Sequence, residues 1–140
     1  MYNCNMFTFN TKIRVRYAET DKMGFVYYGN YAQYYEVGRV ELLRSIGLSY
    51  KSLEDMNIFL PVTKFKIKYL KPSFYDDLLS IETTINEIPK HRINFNYKTF
   101  NQNNCLINKA EVELAFVNGK DMKPCFAPKI LIEKLELFFV

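Results

Sequence analysis

The residues with the clearest chemical potential lie between residues 17 and 39, where an acidic loop runs into a predicted helix. Asp21 supplies a carboxylate, and Gly24 lets the chain turn tightly three residues later. A helix N-terminus offers unpaired N–H groups that can stabilise negative charge on a carbonyl oxygen. A carboxylate beside that carbonyl can act as a nucleophile or a general base. These groups can perform acyl transfer without histidine, but the spacing alone also suits Asp21 as a turn residue.

The other reactive side chains exclude several mechanisms. His91 is the single histidine and has no Cys or second His close to it in sequence, so we expect no metal site. We also expect no bound cofactor. The sequence contains no G-x-S-x-G turn to present a serine and no glycine-rich phosphate loop. An odd number of widely spaced cysteines predicts free thiols rather than a disulfide framework. These cysteines are Cys4, Cys105 and Cys125.

A strand and a helix must position this loop. Polar and apolar residues alternate over residues 7–17, which predicts a half-buried strand. After the loop, Asn30 and Gln33 form a potential capping box for a helix of about four turns, which Gly47 ends. Gly38 inside this helix costs about 1 kcal/mol relative to alanine, so we expect close contact with a sheet. The predicted apolar stripe of the helix is Tyr34, Val37, Gly38, Leu42 and Ile46, widened by Val40 and Leu43.

Strands dominate the second half of the chain. Four segments alternate polar and apolar residues, and short turns rich in Pro, Asn, Asp or Gly separate them. Short connections predict antiparallel hairpins between successive strands. A helical turn over 49–56 and a helix or extended segment over 128–137 complete the elements. We therefore predict one α+β domain over residues 1–140, a five-stranded antiparallel sheet wrapped around one long central helix.

A longer signature covers the loop and the helix. The pattern D-x-x-G-x-V-Y-x-x-N-Y resembles that of the 4-hydroxybenzoyl-CoA thioesterase and YbgC-like family of acyl-CoA thioesterases. The stretch KYLKPSFYDDLL, residues 68–79, resembles the second signature of this family. The order of elements agrees over nearly the whole chain, so the resemblance implies a hotdog fold and hydrolysis of an acyl-CoA thioester. The first signature consists of Asp21, Gly24, Val26, Tyr27, Asn30 and Tyr31, followed by Tyr34, Glu36 and Arg39.

The resemblance also implies roles for individual residues. Asp21 matches the catalytic carboxylate, which attacks the thioester carbonyl or activates a water molecule. Tyr28 matches the position whose backbone N–H holds the thioester oxygen, where many YbgC-like members have His. Because the backbone is used, a tyrosine is expected to be tolerated at this position. Gly24 and Asn30 are expected to contribute to substrate binding as members of the signature.

Charged residues outside the loop each permit two interpretations. Lys90 and Arg92 flank His91 on a predicted hairpin turn, and they are candidates to bind the phosphates of coenzyme A. A solvated turn explains them equally well. Glu36 and Arg39 match helix positions of the family, and a structural ion pair or network is at least as good an explanation as catalysis.

Partners and location follow from charge and hydropathy. The net charge of +4 suits a phosphorylated ligand such as acyl-CoA, and the resemblance implies a homodimer joined at the sheet edges or a homotetramer. Lysines at 64, 66 and 68 alternate with apolar residues, which indicates the solvent face of a strand rather than a nucleic-acid site. No apolar run reaches 18 residues and the N-terminus lacks a signal-peptide block, which predicts a cytoplasmic protein without membrane insertion.

Two further functions remain as alternatives. A hotdog dehydratase would need a histidine paired with a carboxylate, and His91 lies on a turn far from Asp21 in sequence. A non-catalytic module that binds acyl-CoA or an acyl carrier would not need the acid at position 21. The presence of that acid favours hydrolysis.

Overall fold

The computed structural model describes residues 6–139, which form a curved antiparallel sheet with one long helix against one face. The five-stranded sheet has the order β1-β4-β5-β6-β3, and the two short strands β2 and β7 pair separately. This arrangement confirms the predicted α+β hotdog fold. The elements are β1 Phe7–Arg14, α1 Asn30–Ser45, α2 Tyr50–Asp55, β2 Ile58–Phe59, β3 Val62–Tyr69, β4 Leu78–Ile85, β5 Arg92–Phe100, β6 Leu106–Ala115, β7 Val117–Asn118 and α3 Lys129–Glu136.

The strand order differs from a simple series of hairpins. β4, β5 and β6 pair in sequence order, but β3 pairs with β6 and β1 pairs with β4. The predicted hairpin between β3 and β4 is therefore wrong. Three strand spacings, about 14 Å, separate these two strands, and the connection over residues 70–77 can span about 26 Å. A connection that looks like a turn in sequence is thus long enough to cross the end of the sheet.

The helix α1 lies unusually close to β4. A Cβ atom placed on Gly38 would stand 2.6 Å from Thr83 Oγ1 and 3.0 Å from Ile81 Cγ2. The predicted close contact is confirmed, and it explains why the helix accepts a glycine in its interior. The buried positions of α1 differ in part from the predicted stripe, because Val37 is 41% exposed. Residues buried along α1 are Tyr31, Tyr34, Tyr35, Gly38, Arg39, Leu42 and Leu43.

The predicted C-terminal end of α1 at Gly47 is confirmed, but the predicted N-terminal capping box is not. Gly29 precedes the first turn of α1, and the helix has no side-chain cap, so the predicted capping role of Asn30 is wrong. The Asn30 side chain donates instead to the Glu19 carbonyl oxygen at 2.8 Å. At the other end Gly47 adopts a φ of +88°, the left-handed conformation that favours glycine after a helix. The C-terminal segment is the helix α3 rather than an extended segment.

The strand β3 is an edge of the sheet with an incompletely covered apolar face. Phe65 is 43% exposed and Tyr69 is 46% exposed, although both side chains lie on the face that carries α1. The lysines of this strand are exposed, as the alternation predicted. Within residues 6–139, no helix is long and apolar enough to cross a membrane.

The contact at Gly38 leads to a stability prediction. Gly38→Ala should lower the free energy of unfolding by roughly 1–3 kcal/mol, because the added methyl group overpacks the contact with β4 and outweighs the gain in helix propensity. Chemical denaturation measures the change. Gln33→Ala, at an exposed position of the same helix, is the control and should leave stability nearly unchanged. A Gly38→Ala protein as stable as wild type would show that α1 can move away from the sheet without cost.

Candidate active site

Glu19 organises the loop that precedes α1. It ends a short 3-10 turn, Tyr17–Glu19, and only 8% of its surface is exposed. Its carboxylate accepts hydrogen bonds from the Arg16 backbone N–H at 2.9 Å and from the Arg16 guanidinium at 2.8 and 3.1 Å. The Tyr34 hydroxyl on α1 donates to the same carboxylate at 2.8 Å. The loop and the helix are thereby joined through one acidic side chain.

The electrostatics of Glu19 follow from these contacts. Burial raises the pKa of this carboxyl group, but the hydrogen bonds from Arg16 and Tyr34 outweigh burial and hold its pKa below the ordinary value. The same environment, burial first and then the bond to Glu19, raises the pKa of the Tyr34 hydroxyl. Glu19 is therefore an ionised structural group, fully engaged by its donors. The backbone carbonyl of Glu19 accepts two more bonds, from the Tyr27 N–H at 2.8 Å and from Asn30 Nδ2.

Asp21 occupies the tight turn that follows. Its Oδ1 accepts hydrogen bonds from the backbone N–H groups of Met23 at 2.9 Å and Phe25 at 3.2 Å. Gly24 donates to the Asp21 carbonyl oxygen at 3.0 Å and has a φ of +80°, so a residue with a side chain would be strained there. Within residues 6–139, Oδ2 of Asp21 accepts no hydrogen bond. The turn thus fixes the carboxylate by one oxygen and leaves the other available.

A cavity of about 330 Å³ brings Asp21 together with the start of α1. The backbone N–H of Tyr28, two residues before the helix, has no acceptor among the described residues. The Tyr69 hydroxyl donates to the Tyr28 carbonyl oxygen at 3.1 Å and ties this peptide segment to β3. The cavity walls are mostly apolar and aromatic. They consist of Asp21, Met23, Phe25, Val26, Tyr28, Tyr31, Tyr69, Leu70, Lys71 and Pro72.

Aromatic rings form one wall of this cavity. The Tyr31 ring lies 5.9 Å from the Tyr69 ring, and the Tyr28 ring lies 6.4 Å from it, both in edge-on geometry. Tyr31 is buried, and burial raises the pKa of its hydroxyl. The cavity therefore offers an acidic group and an unpaired amide beside an apolar, aromatic wall. A fixed N–H donor in this position can stabilise a negative charge that develops on a carbonyl oxygen.

The other predicted substrate residues have different positions. Gly24 shapes the turn and Asn30 links α1 to Glu19, so both support the cavity without lining it. Lys90 and Arg92 lie at the opposite end of the sheet. Tyr69, which lines the cavity, lies in the same row of the sheet as Thr99 of β5. Arg92 precedes Thr99 by seven residues in that strand, so it lies about 23 Å from this row along the strand. Within one chain, the fold does not bring these two cations to Asp21.

Arg39 and Glu36 do not form the ion pair that the sequence allowed. Arg39 is buried, and its Nε donates to the Tyr50 hydroxyl at 2.9 Å. Glu36 is exposed and has no cation within 4.0 Å among residues 6–139. Arg39 thus belongs to a structural network with a tyrosine. His91 packs against the Phe126 ring at 4.1 Å between centroids, away from the cavity.

Sequence patterns did not identify several residues that line the cavity, among them Tyr69 and Lys71. Lys71 lines the rim beside Asp21 and is exposed, and its backbone N–H is held by the Ile107 carbonyl oxygen at 3.0 Å. It lies inside the second signature, KYLKPSFYDDLL, which was the available signal. In the part of the chain that the structure describes, no three His, Cys, Asp or Glu side chains converge to hold a metal ion.

Comparison with known proteins places this architecture in a family. Residues 23–107 match the family model described as the thioesterase superfamily. The chain is 33% identical over 132 residues to the acyl-CoA thioester hydrolase YbgC of Escherichia coli, covering 94% of this chain and 98% of that protein. It is also 33% identical over 122 residues to the acyl-CoA thioesterase YbgC of Haemophilus influenzae, covering 86% and 89%.

The fold comparison agrees with the sequence comparison. The crystal structure of a DHNA-CoA thioesterase from Staphylococcus aureus superimposes with a TM-score of 0.82 at 32% identity, covering 94% of this chain and 83% of that one. The similarity extends over the strand, loop, helix and sheet that build the cavity. The chain therefore belongs to the thioesterase superfamily, among its YbgC-like acyl-CoA thioester hydrolases.

Proposed function

We propose that this protein hydrolyses the thioester bond of acyl-CoA substrates, and that Asp21 and the Tyr28 backbone N–H are its catalytic groups. The observation that carries this assignment is the cavity in which a carboxylate with one unbonded oxygen and an unpaired amide occur together. Relatives with the printed activity at 33% identity over most of both chains support the reaction.

The two groups have complementary tasks. The Tyr28 N–H stabilises the oxyanion that forms when the thioester carbonyl carbon becomes tetrahedral. Asp21 either attacks that carbon directly or removes a proton from the attacking water. On both routes the C–S bond breaks, and the thiolate of coenzyme A leaves and takes up a proton. In general base catalysis, water attacks the thioester carbon and supplies the oxygen of the acid. After direct attack, water hydrolyses the mixed anhydride between the acyl group and Asp21, which releases the acid and restores the carboxylate. Rapidly quenched turnover distinguishes the routes, because only direct attack places an acyl group on Asp21.

The site is proposed to be completed by a second copy of the chain. Phe65 and Tyr69 expose aromatic surface along the edge strand β3, and Tyr69 is also a wall of the cavity. An edge strand with free N–H and C=O groups and an exposed apolar face is a favourable place for another strand. A copy joined there would cover these rings and exclude water from the cavity. Coenzyme A contacts by Lys90 and Arg92 would then come from a different subunit than Asp21.

The first test concerns Asp21. Asp21→Asn keeps an oxygen that can accept the Met23 and Phe25 N–H bonds, so the turn should persist while the negative charge is lost. We expect kcat to fall by about 10²–10⁴-fold in a thiol-release assay with acyl-CoA substrates, with little change in substrate affinity.

Asp121→Asn is the matched control for this variant. Asp121 accepts the Lys123 N–H at 3.0 Å in a similar turn but does not line the cavity. The control should retain wild-type turnover. Near-normal turnover by Asp21→Asn would overturn the proposed mechanism, because Asp21 is the one carboxylate among the described residues that lines the cavity.

The second test concerns assembly. Light scattering should give a mass of at least twice the 16.6 kDa of one chain. Phe65→Asp should lower that mass, because a charged side chain at this partly exposed aromatic position opposes burial against another copy. Met122→Asp, at an exposed apolar position in a loop, is the control and should not change it. A wild-type mass of 16.6 kDa at assay concentration would contradict the shared site.

The third test concerns two neighbouring cations, Lys90 in the β4–β5 connection and Arg92 at the start of β5. The double variant Lys90→Ala and Arg92→Ala should raise KM for acyl-CoA with kcat little changed. This result is expected when the lost contacts stabilise the bound substrate and the transition state equally. Arg92 pairs with Glu113 at 2.9 Å, so folding must be checked by thermal melting. An unchanged KM in a folded double variant would show that both side chains are solvated and do not bind coenzyme A.

A further inference from the structure

The face of the sheet opposite α1 carries a second concavity that the proposed reaction does not use. This groove has a volume of about 740 Å³ and crosses the strands β1, β4, β5, β6 and β3. It contains two glutamates and four lysines, and several Thr and Asn side chains complete its polar lining. We call it the lysine groove after Lys66, Lys68, Lys98 and Lys109.

The pairing of charges across β3 and β6 changes between two rows of the sheet that both line the groove. Lys64 lies opposite Glu113 and Lys66 lies opposite Glu111, so opposite charges face each other across β3 and β6. In the next row of this face, Lys68 lies opposite Lys109. On its other side Lys109 faces Lys98 of β5. Three lysines therefore stand side by side on three adjacent strands.

This row has an energetic cost for the isolated chain. Side chains directly opposite each other in an antiparallel sheet have Cβ atoms about 5 Å apart, and like charges in this position destabilise the pair. Within residues 6–139, none of the three ammonium groups has a carboxylate within 4.0 Å. Glu82 faces Lys98 in register but forms no such pair. The row thus carries three ammonium groups against the single carboxylate of Glu82, which leaves it with a net positive charge.

We propose that the lysine groove binds a polyphosphate chain, such as that of a nucleotide. The three ammonium groups lie side by side in one row, and each carries three hydrogen-bond donors. They can therefore contact successive phosphate groups of one polyphosphate chain. Neutral polar groups border the row: Asn96 on β5, and Thr8 and Thr84, whose hydroxyls are bonded to each other at 2.9 Å. These groups suit the sugar and base of a nucleotide. Because lysines outnumber glutamates in the groove lining, a second copy of the same face would bring two surfaces of net positive charge together.

The groove and the cavity are neighbouring but separate sites, because they lie on opposite faces of the sheet. Lys68 adjoins Tyr69 in β3, but successive residues of a strand point to opposite faces, so one lines the groove and the other the cavity. The inference rests on the charge pattern and not on the proposed reaction. Two sources supply the same chemistry, a free nucleotide and the nucleotide end of coenzyme A.

Titration calorimetry with the full-length protein tests the proposal, using tripolyphosphate, ATP and coenzyme A as separate probes. The groove variant combines Lys68→Gln, Lys98→Gln and Lys109→Gln. The control combines Lys12→Gln, Lys120→Gln and Lys123→Gln, which removes the same charge from exposed positions outside the groove. We expect Kd for tripolyphosphate and ATP to rise about tenfold or more in the groove variant and to change little in the control.

Thermal melting supplies an independent readout. Without ligand, the groove variant should melt no lower than wild type, because removing opposed lysines relieves repulsion. With tripolyphosphate, the melting temperature of wild type and control should rise, and that of the groove variant should not. If the triple variant fails to fold, Lys109→Gln alone, which removes the central charge of the row, replaces it.

The three probes distinguish a free nucleotide from the nucleotide end of coenzyme A as the ligand. Loss of ATP and tripolyphosphate binding in the groove variant, with unchanged coenzyme A binding, supports a free nucleotide as the ligand. Loss of coenzyme A binding as well supports a site for the nucleotide end of the substrate. A Kd that is unchanged in the groove variant, an equal loss in the control, or no binding by wild type would overturn the proposal. Hydrolysis of a thioester without a nucleotide, such as an N-acetylcysteamine thioester, reports on the Asp21 site separately.

Discussion

The burial of Glu19 is the interaction on which the rest of the candidate site depends. Its carboxylate is held by Arg16 before the loop and by Tyr34 on the helix, and its carbonyl oxygen holds Tyr27 and Asn30 at the helix start. An unpaired carboxylate in this position would be costly, so the acid requires all its donors to be in place. The loop that carries Asp21 consequently has one position relative to the first turn of α1.

The candidate site is held by hydrogen bonds at Asp21 and Tyr28, whereas its side along β3 is open to solvent. The carboxylate of Asp21 is oriented by two backbone N–H groups, and the Tyr28 peptide is tied to β3 through Tyr69. Preorganised dipoles of this kind need little rearrangement as charge develops, which is how fixed donors lower a barrier. The edge strand β3 contributes the least covered surface, and it is the part of the cavity that another subunit can close.

The two faces of β3 serve different purposes because a strand alternates its side chains. Tyr69 and Phe65 extend the aromatic surface beside α1, whereas Lys66 and Lys68 belong to the groove on the outer face. The alternation of lysine with apolar residues was visible in the sequence, and it correctly indicated a strand with one exposed face. The opposition of Lys68, Lys109 and Lys98 was not visible, because it depends on the register of three strands.

The sequence by itself determined most of the elements, the family and the candidate reactive groups. Local alternation specifies the strands, Gly38 indicates a helix against a sheet, and the signature around Asp21 identifies the family. Tertiary structure decided the strand order, the bonding of Asn30 to Glu19 instead of its own helix, and the separation of Arg92 from Asp21. Periodicity and capping signals are local, whereas pairing partners and distances between ends of a sheet depend on packing between residues far apart in the chain.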